Sequence, residues 1–144
     1  MMLKKVVPLL VVALVSFSCV ATLQNYNPKT PVEREIKGAL LSYESAYNTH
    51  DAGSFLGMFY EDAPIMSPKD GSMLTKAQYS DMLSELFNQY PTLALGKPDV
   101  YFLEGNDKAV VEISMLYGES YQLISKVSLL EENNQWRITK LIYF

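Results

Sequence analysis

Residues 42–68 read SYESAYNTHDAGSFLGMFYEDAPIMSP, and this stretch decides the fold. Its first part closes an amphipathic helix. Tyr43 and Tyr47 continue the three- and four-residue spacing of Ile36 and Leu40, with Ala39 and Ala46 beside them. Asn48-Thr49-His50-Asp51 breaks that helix, and Asp51 is placed to cap a short second one whose inward residues are Phe55, Met58 and Phe59. Ala63–Ser67 alternates weakly between Pro64 and Pro68, which predicts a short edge strand. His50 reads as a solvent-facing turn residue.

Upstream, Thr30-Pro31-Val32-Glu33 forms a capping box with proline at the first helical position, so the first helix runs from there to about Asn48. Downstream, Pro68-Lys69-Asp70-Gly71 is a turn, and Thr75-Lys76-Ala77-Gln78 is a second capping box. It opens a helix with Tyr79, Met82, Leu83, Leu86 and Phe87 on one side, ended by Pro91. The rest is strand-like. Leu93–Leu103 bends at Gly96-Lys97-Pro98, and Glu104-Gly105-Asn106-Asp107 turns the chain. Ala109, Val111, Ile113, Met115 and Tyr117 then alternate with Val110, Glu112 and Ser114. Turns at Gly118-Glu119-Ser120 and Glu132-Asn133-Asn134-Gln135 separate the last two strands, Tyr121–Leu130 and Trp136–Tyr143. Three helices followed by an antiparallel meander predict an α+β domain with helices on one face of a curved sheet.

The first 30 residues follow different rules. Lys4 and Lys5 precede Val6–Phe17, an apolar run of about a dozen residues that is too short to span a bilayer but suits the core of a signal peptide. It ends in Ser16-Phe17-Ser18-Cys19, which resembles the lipobox of bacterial lipoproteins; Ser16 stands where that family has an aliphatic residue. The resemblance implies cleavage before Cys19, lipidation of Cys19, and, with Val20 following, an outer-membrane or cell-envelope protein facing the periplasm. The alternative is an ordinary secretory signal, a free thiol at Cys19 and a soluble exported protein. The expected organisation is a signal peptide at 1–18, a tether at 19–30 and one domain at 31–144.

A chain of 144 residues with 49% hydrophobic content buries a single core. Its net charge of −4 lacks the basic footprint that nucleic acid requires. One His and one Cys do not make a zinc site of the usual kind, so neither metal nor cofactor is expected. The membrane is expected as a partner only through the lipid.

Taken together, Asn48-x-x-Asp51, Phe59-x-x-Asp62-Ala63, Pro68 and Trp136-Arg137-Ile138 resemble the NTF2-like superfamily, closest to its SnoaL-like and DUF4440-type branch, over residues 32–144. The resemblance implies a cone: helices against a strongly curved sheet, a cavity at the open end, and homodimerisation through the outer sheet face in many members. In the isomerase branch a first-helix tyrosine donates to an oxyanion, and Tyr43 falls there. The catalytic base position is Ser67, an alcohol that does not take a carbon-bound proton unaided. The further carboxylic acid of those enzymes is replaced by Ile124-Ser125-Lys126-Val127. Neither His50 nor Arg34 and Arg137 reproduces the dehydratase or epoxide hydrolase constellation, so no catalytic residue is assigned.

Tyr43, Tyr47, Phe59, Met66, Ser67, Tyr101, Met115 and Tyr117 are the expected lining of a pocket for a flat apolar ligand. For Phe59, Met82 and Phe87 plain core packing is the stronger reading. Three functions stay open at this point: binding of a small apolar molecule or protein partner without catalysis, an isomerase, dehydratase or cyclase with Tyr43 as electrophilic donor and Glu44 or Asp62 as base, and a structural envelope role through the sheet face.

Overall fold

The computed structural model describes residues 21–103 and 105–144; the leader reading and Cys19 lie outside them, as does Glu104 of one turn. Three helices, α1 (Pro31–Asn48), α2 (Ala52–Gly57) and α3 (Lys76–Gln89), lie with seven strands. The strands are β1 (Ile65–Met66), β2 (Met73–Leu74), β3 (Leu93–Leu95), β4 (Asp99–Phe102), β5 (Lys108–Tyr117), β6 (Tyr121–Glu132) and β7 (Gln135–Tyr143). They form one sheet in the order β2-β1-β7-β6-β5-β3, with β4 also on β5.

The helix ends follow from named side chains. Thr30 caps α1 by accepting from Glu33 N–H, but Glu33 turns outward to accept from Lys29 N–H and Tyr26 O–H, so only half of the expected box forms. In α3 the full reciprocal box of Thr75 and Gln78 is present. The break after α1 is a Schellman motif: His50 N–H bonds Tyr47 O and Asp51 N–H bonds Ala46 O. His50 occupies the left-handed position, φ 56°, where glycine is usual. Its ring stacks on Phe87 at 4.7 Å and its Nε2 bonds Pro91 O at 2.8 Å, so this turn residue is docked rather than merely exposed. Asp51 caps α2 through Ser54 N–H, as expected.

Two expectations about the sheet are corrected. Ile65–Met66 is not an edge strand: it lies between β2 and β7, parallel to β7, so the sheet is mixed. Pro64 and Pro68 flank the two-residue strand instead of interrupting it. Their missing N–H groups cost no ladder bond, and Pro64 O accepts from Leu141 N–H. The edge is β2, which is too short to show a period in the sequence. Second, the tether reading fails for residues 21–29. Leu23 is fully buried, its N–H bonds Leu95 O, and Thr22 bridges Gly96. A single anchoring apolar residue leaves no periodicity to read.

The long strands match their alternation. Ala109, Val111, Ile113, Met115 and Tyr117 all face the core. The bend at Gly96-Lys97-Pro98 splits the preceding run into β3 and β4, which continue on β5 with one residue extra, four positions from Leu95 to Asp99 against three from Met115 to Glu112. A second bulge at Thr139 shifts the phase of β7, so that Ile138 and Leu141, three apart, both point inward. Asn133 and Asn134, both at positive φ, make the two-residue hairpin turn between β6 and β7.

The free side of β3 is closed by side chains of α1. Asn48 accepts from Leu93 N–H at 2.7 Å and donates to Leu93 O at 3.0 Å, while Glu44 accepts from Leu95 N–H at 2.8 Å. Asn48 thus stands in for a neighbouring strand. Replacing it with Ala removes both bonds and leaves the β3 backbone unpaired at that point, so Asn48→Ala should lower the unfolding free energy by about 2 kcal/mol, read by urea denaturation. Asn48→Asp, which keeps the acceptor and loses the donor, should fall between.

Candidate functional site

Of the eight expected pocket residues, the fold brings five together: Tyr43, Tyr47, Phe59, Met115 and Tyr117, each no more than 1% exposed. Tyr43 and Tyr47 come from consecutive turns of α1, Phe59 from the segment after α2, and Met115 and Tyr117 from the end of β5. Their rings pack against one another. Ring centroids lie 4.6 Å apart for Tyr43–Phe55, 4.9 Å for Tyr47–Phe87 and 5.7 Å for Tyr47–Tyr117, distances at which rings fill the space between them. Phe55, Phe87 and Tyr79 complete this packing. Phe59 and Phe87 are core residues, as the packing reading held.

Tyr101 is corrected: it lies on β4 opposite Val110, on the outer face of the sheet, and is 52% exposed. The sequence run could not show it, because the extra residue at Gly96-Lys97-Pro98 reverses which positions of that run face inward. Met66 and Ser67 sit at the rim. Ser67, 3% exposed, accepts from Lys69 N–H at 3.1 Å and meets Met82 Sδ at 3.6 Å, so it holds the turn after β1. Met66 Sδ accepts from Tyr143 N–H. Both candidate bases are placed elsewhere: Glu44 is committed to Leu95 N–H, and Asp62 is exposed in the turn before β1. Arg137 does more than point outward: it bonds Phe59 O at 3.1 Å and its guanidinium lies 4.7 Å from the Tyr60 ring centroid.

Tyr79 and Tyr143, which the sequence reading did not single out as site residues, join Tyr43 and Tyr117 at the polar centre of this interior. Tyr117 and Tyr143 hydroxyls share a hydrogen bond of 2.7 Å, and each lies 3.9 Å from Met115 Sδ. The hydroxyls of Tyr43 and Tyr79 face Tyr117 but make no hydrogen bond, and both are buried. Tyr47 O–H is satisfied by Tyr90 O at 2.6 Å. Over this layer Tyr121 stacks on Tyr90 at 5.2 Å and donates to Pro68 O, closing the end of the interior between β1, α3 and β6.

Burial holds the Tyr43, Tyr79 and Tyr143 hydroxyls well above the ordinary tyrosine value, and neighbouring tyrosines add to the shift. Tyr117 is pushed up to about 12, less far because surrounding hydroxyls stabilise its anion. Folded tyrosines with raised values keep protons that the unfolded chain releases near pH 10. Stability is therefore intact below pH 10 and falls as the pH climbs toward 12, by roughly 1.4 kcal/mol per pH unit for each such group. Tyrosinate absorbance should rise together with loss of near-ultraviolet dichroism. Titration of all ten tyrosines near pH 10 with the fold intact would contradict the buried cluster.

The orphan hydroxyls give a sharper check. An unpartnered buried hydroxyl costs about 1–3 kcal/mol, whereas the shared bond of Tyr117 contributes about 1 kcal/mol. Tyr43→Phe and Tyr79→Phe should leave stability unchanged or raise it, and Tyr117→Phe should lower it, measured by urea denaturation.

No family model matches the sequence, and no curated protein matches it. Solved structures do. The chain aligns over 83% of its length with 94% of a candidate calcium/calmodulin dependent protein kinase II association domain from Xanthomonas campestris, at TM-score 0.64 and 14% identity. It aligns over 76% of its length with 80% of a candidate scytalone dehydratase from Novosphingobium aromaticivorans, at 0.61 and 16%. It covers 39% of Bdellovibrio bacteriovorus Bd1075, with 77% of this chain aligned at 0.62 and 13% identity. At such identities the likeness is one of architecture: an α+β domain of three helices and one mixed seven-stranded sheet.

Proposed function

We propose that this chain is an exported, lipid-anchored NTF2-like domain of the cell envelope that acts by binding, with the outer face of its sheet taking a protein partner, first of all a second copy of itself. The observation that carries this reading is the contrast between the two faces of the sheet. The inner face is filled by packed rings, while Tyr101, Leu103, Ile124 and Phe144 stand 52%, 49%, 46% and 67% exposed on or beside the outer face. Val110, Leu116, Leu130 and Ile142 lie half-buried among them. These apolar side chains fall in two groups on either side of Glu112 and Lys126, and exposed apolar surface on a sheet face is the mark of an association site.

Charge supports a copy of the same chain as the partner. Glu112 and Lys126 are directly opposite on β5 and β6, yet the two ion pairs among the described residues are Lys69–Glu85 and Lys76–Glu61. Lys126 leans over the Phe144 ring instead, 5.5 Å from its centroid. A two-fold-related copy brings the acid of one face to the base of the other. The Xanthomonas relative carries the words association domain in its name, which favours the same use of the fold. Export rests on Lys4, Lys5 and the run Val6–Phe17, and the anchor on Cys19. Among the described residues no helix is long and apolar enough to cross a membrane.

A second reading rests on the orphan hydroxyls. Two buried donors without an acceptor suit a small molecule carrying a carbonyl or phenolate oxygen, admitted when Tyr121 leaves Pro68. Native mass spectrometry of protein from its own host would show such a ligand.

Light scattering should report a concentration-dependent dimer for the wild type. Ile124→Glu, which puts a charge in place of an exposed apolar side chain of that face, should yield a monomer with little change in the unfolding midpoint. A wild type that stays monomeric at tens of micromolar would overturn self-association. Mass spectrometry of the membrane fraction checks Cys19, and an unmodified soluble chain would overturn the anchor.

A further inference from the structure

The segment that follows Cys19 is bound to the domain by several independent contacts. Leu23 is fully buried and its N–H bonds Leu95 O at 3.1 Å; Thr22 bridges Gly96 in the antiparallel sense. Asn25 N–H bonds Thr22 Oγ1 and Tyr26 N–H bonds Leu23 O, making a tight turn. Lys37 of α1 then donates its ammonium to Gln24 O at 3.1 Å and Tyr26 O at 2.7 Å. Tyr26 O–H and Lys29 N–H both bond Glu33 Oε1, at 3.0 and 2.9 Å. Gly96 lies close under the strap: a Cβ there would reach ordinary contact with Ala21 O at 3.8 Å. A buried leucine and paired backbone carbonyls are what a flexible linker lacks.

We infer that residues 21–29 are a rigid strap, and that with Cys19 lipidated the strap seats the β3–β4 edge of the domain directly on the bilayer surface, the lipid headgroups being the partner of that edge. The inference rests on the lipid anchor proposed above. Only Val20 separates Cys19 from Ala21, and a residue spans at most about 3.6 Å, so the anchor lies within roughly 7 Å of the strap. That is comparable to the Debye length of about 8 Å at physiological ionic strength, so the charges beside the strap reach the headgroups only partly screened. These are Lys29, Lys97, Glu33 and Asp99, which together with Asn25 and Tyr26 border a cleft of about 510 Å³. The mixture of signs suits zwitterionic headgroups, whose ammonium and phosphate have partners of both kinds in the cleft. Burial and Glu33 push the Tyr26 hydroxyl up to about 12, as its closed position requires.

Two readouts separate the strap from the anchor. Amide hydrogen exchange on the full chain reads the strap alone: Leu23 and Tyr26 should be protected to the level of β3, and Lys37→Met should speed their exchange about tenfold while the global unfolding midpoint stays close to wild type. Exchange at unstructured rates in the wild type would overturn the strap. The seat on the bilayer is read with nitroxide labels at Asp99→Cys and Asp62→Cys in lipidated protein on phosphatidylethanolamine–phosphatidylglycerol vesicles containing a paramagnetic chelate lipid. Broadening at position 99 and not at 62 is expected. Equal broadening at both sites in membrane-bound protein would overturn the seat and leave the anchor standing. Absence of the protein from the membrane fraction would overturn the anchor and the seat together, while exchange still decides the strap.

Discussion

Tyr117 is the residue on which the interior depends. It ends the inward series of β5, pairs with Leu93 of β3 and Tyr121 of β6, and packs its ring against Tyr47, Tyr90 and Tyr121. Its hydroxyl is bonded to Tyr143 of β7 and faces Tyr43 of α1 and Tyr79 of α3. One side chain thus ties the sheet to both long helices. The cost of burying its polar tip is offset by Tyr143, but the same convergence strands the hydroxyls of Tyr43 and Tyr79. A phenylalanine-only interior of the same shape would avoid that cost. The tyrosines therefore make the core more demanding than packing needs.

The sheet edge at β3 poses a different constraint. A strand with unpaired N–H and C=O groups invites another chain. Here Asn48 and Glu44 of α1 occupy Leu93 and the Leu95 N–H, and Leu23 takes the Leu95 carbonyl. Asn48 and Glu44 are four residues apart, one helical turn, and so rise along one side of α1 next to the strand. The motif residue Asn48 and the strap residue Leu23 solve the same problem from opposite directions.

Local chemistry made much of this fold legible. Thr75 and Gln78 forming a box, Asp51 capping, Pro91 stopping a helix and the alternation from Ala109 to Tyr117 are short-range effects that a sequence displays directly. What escaped was set by long-range pairing. The parallel contact of β1 with β7 joins residues far apart in the chain, and the docked strap shows only one apolar side chain. The bulge after β3 decided that Tyr101 faces outward, and a bulge is a count of residues between two strands, not a property of either. Five of the residues expected to line a pocket come together as closely packed rings and a methionine. Residue types tell which side chains gather, whereas volume tells whether space remains among them. Tyr79 and Tyr143, which completed the packing, looked in the sequence like ordinary helix-face and strand residues.

A filled interior changes where recognition has to occur. An interior open to a ligand would ask the inner face of the sheet to carry both stability and binding, and the two demands compete. In this chain the rings from Tyr43 to Tyr121 devote that face to stability. The outer face is then free to carry Ile124, Tyr101 and Phe144 without loosening the core, because alternate residues of a strand belong to opposite faces. Glu112 and Lys126 lie opposite each other on β5 and β6 without forming an ion pair, and Lys126 leans over the Phe144 ring instead. The strap closes one edge of the same sheet, and the outer face keeps a mixture of apolar side chains with Glu112 and Lys126. Because the outer side chains belong to a face that the core does not use, the core is as closely packed as its tyrosines make it.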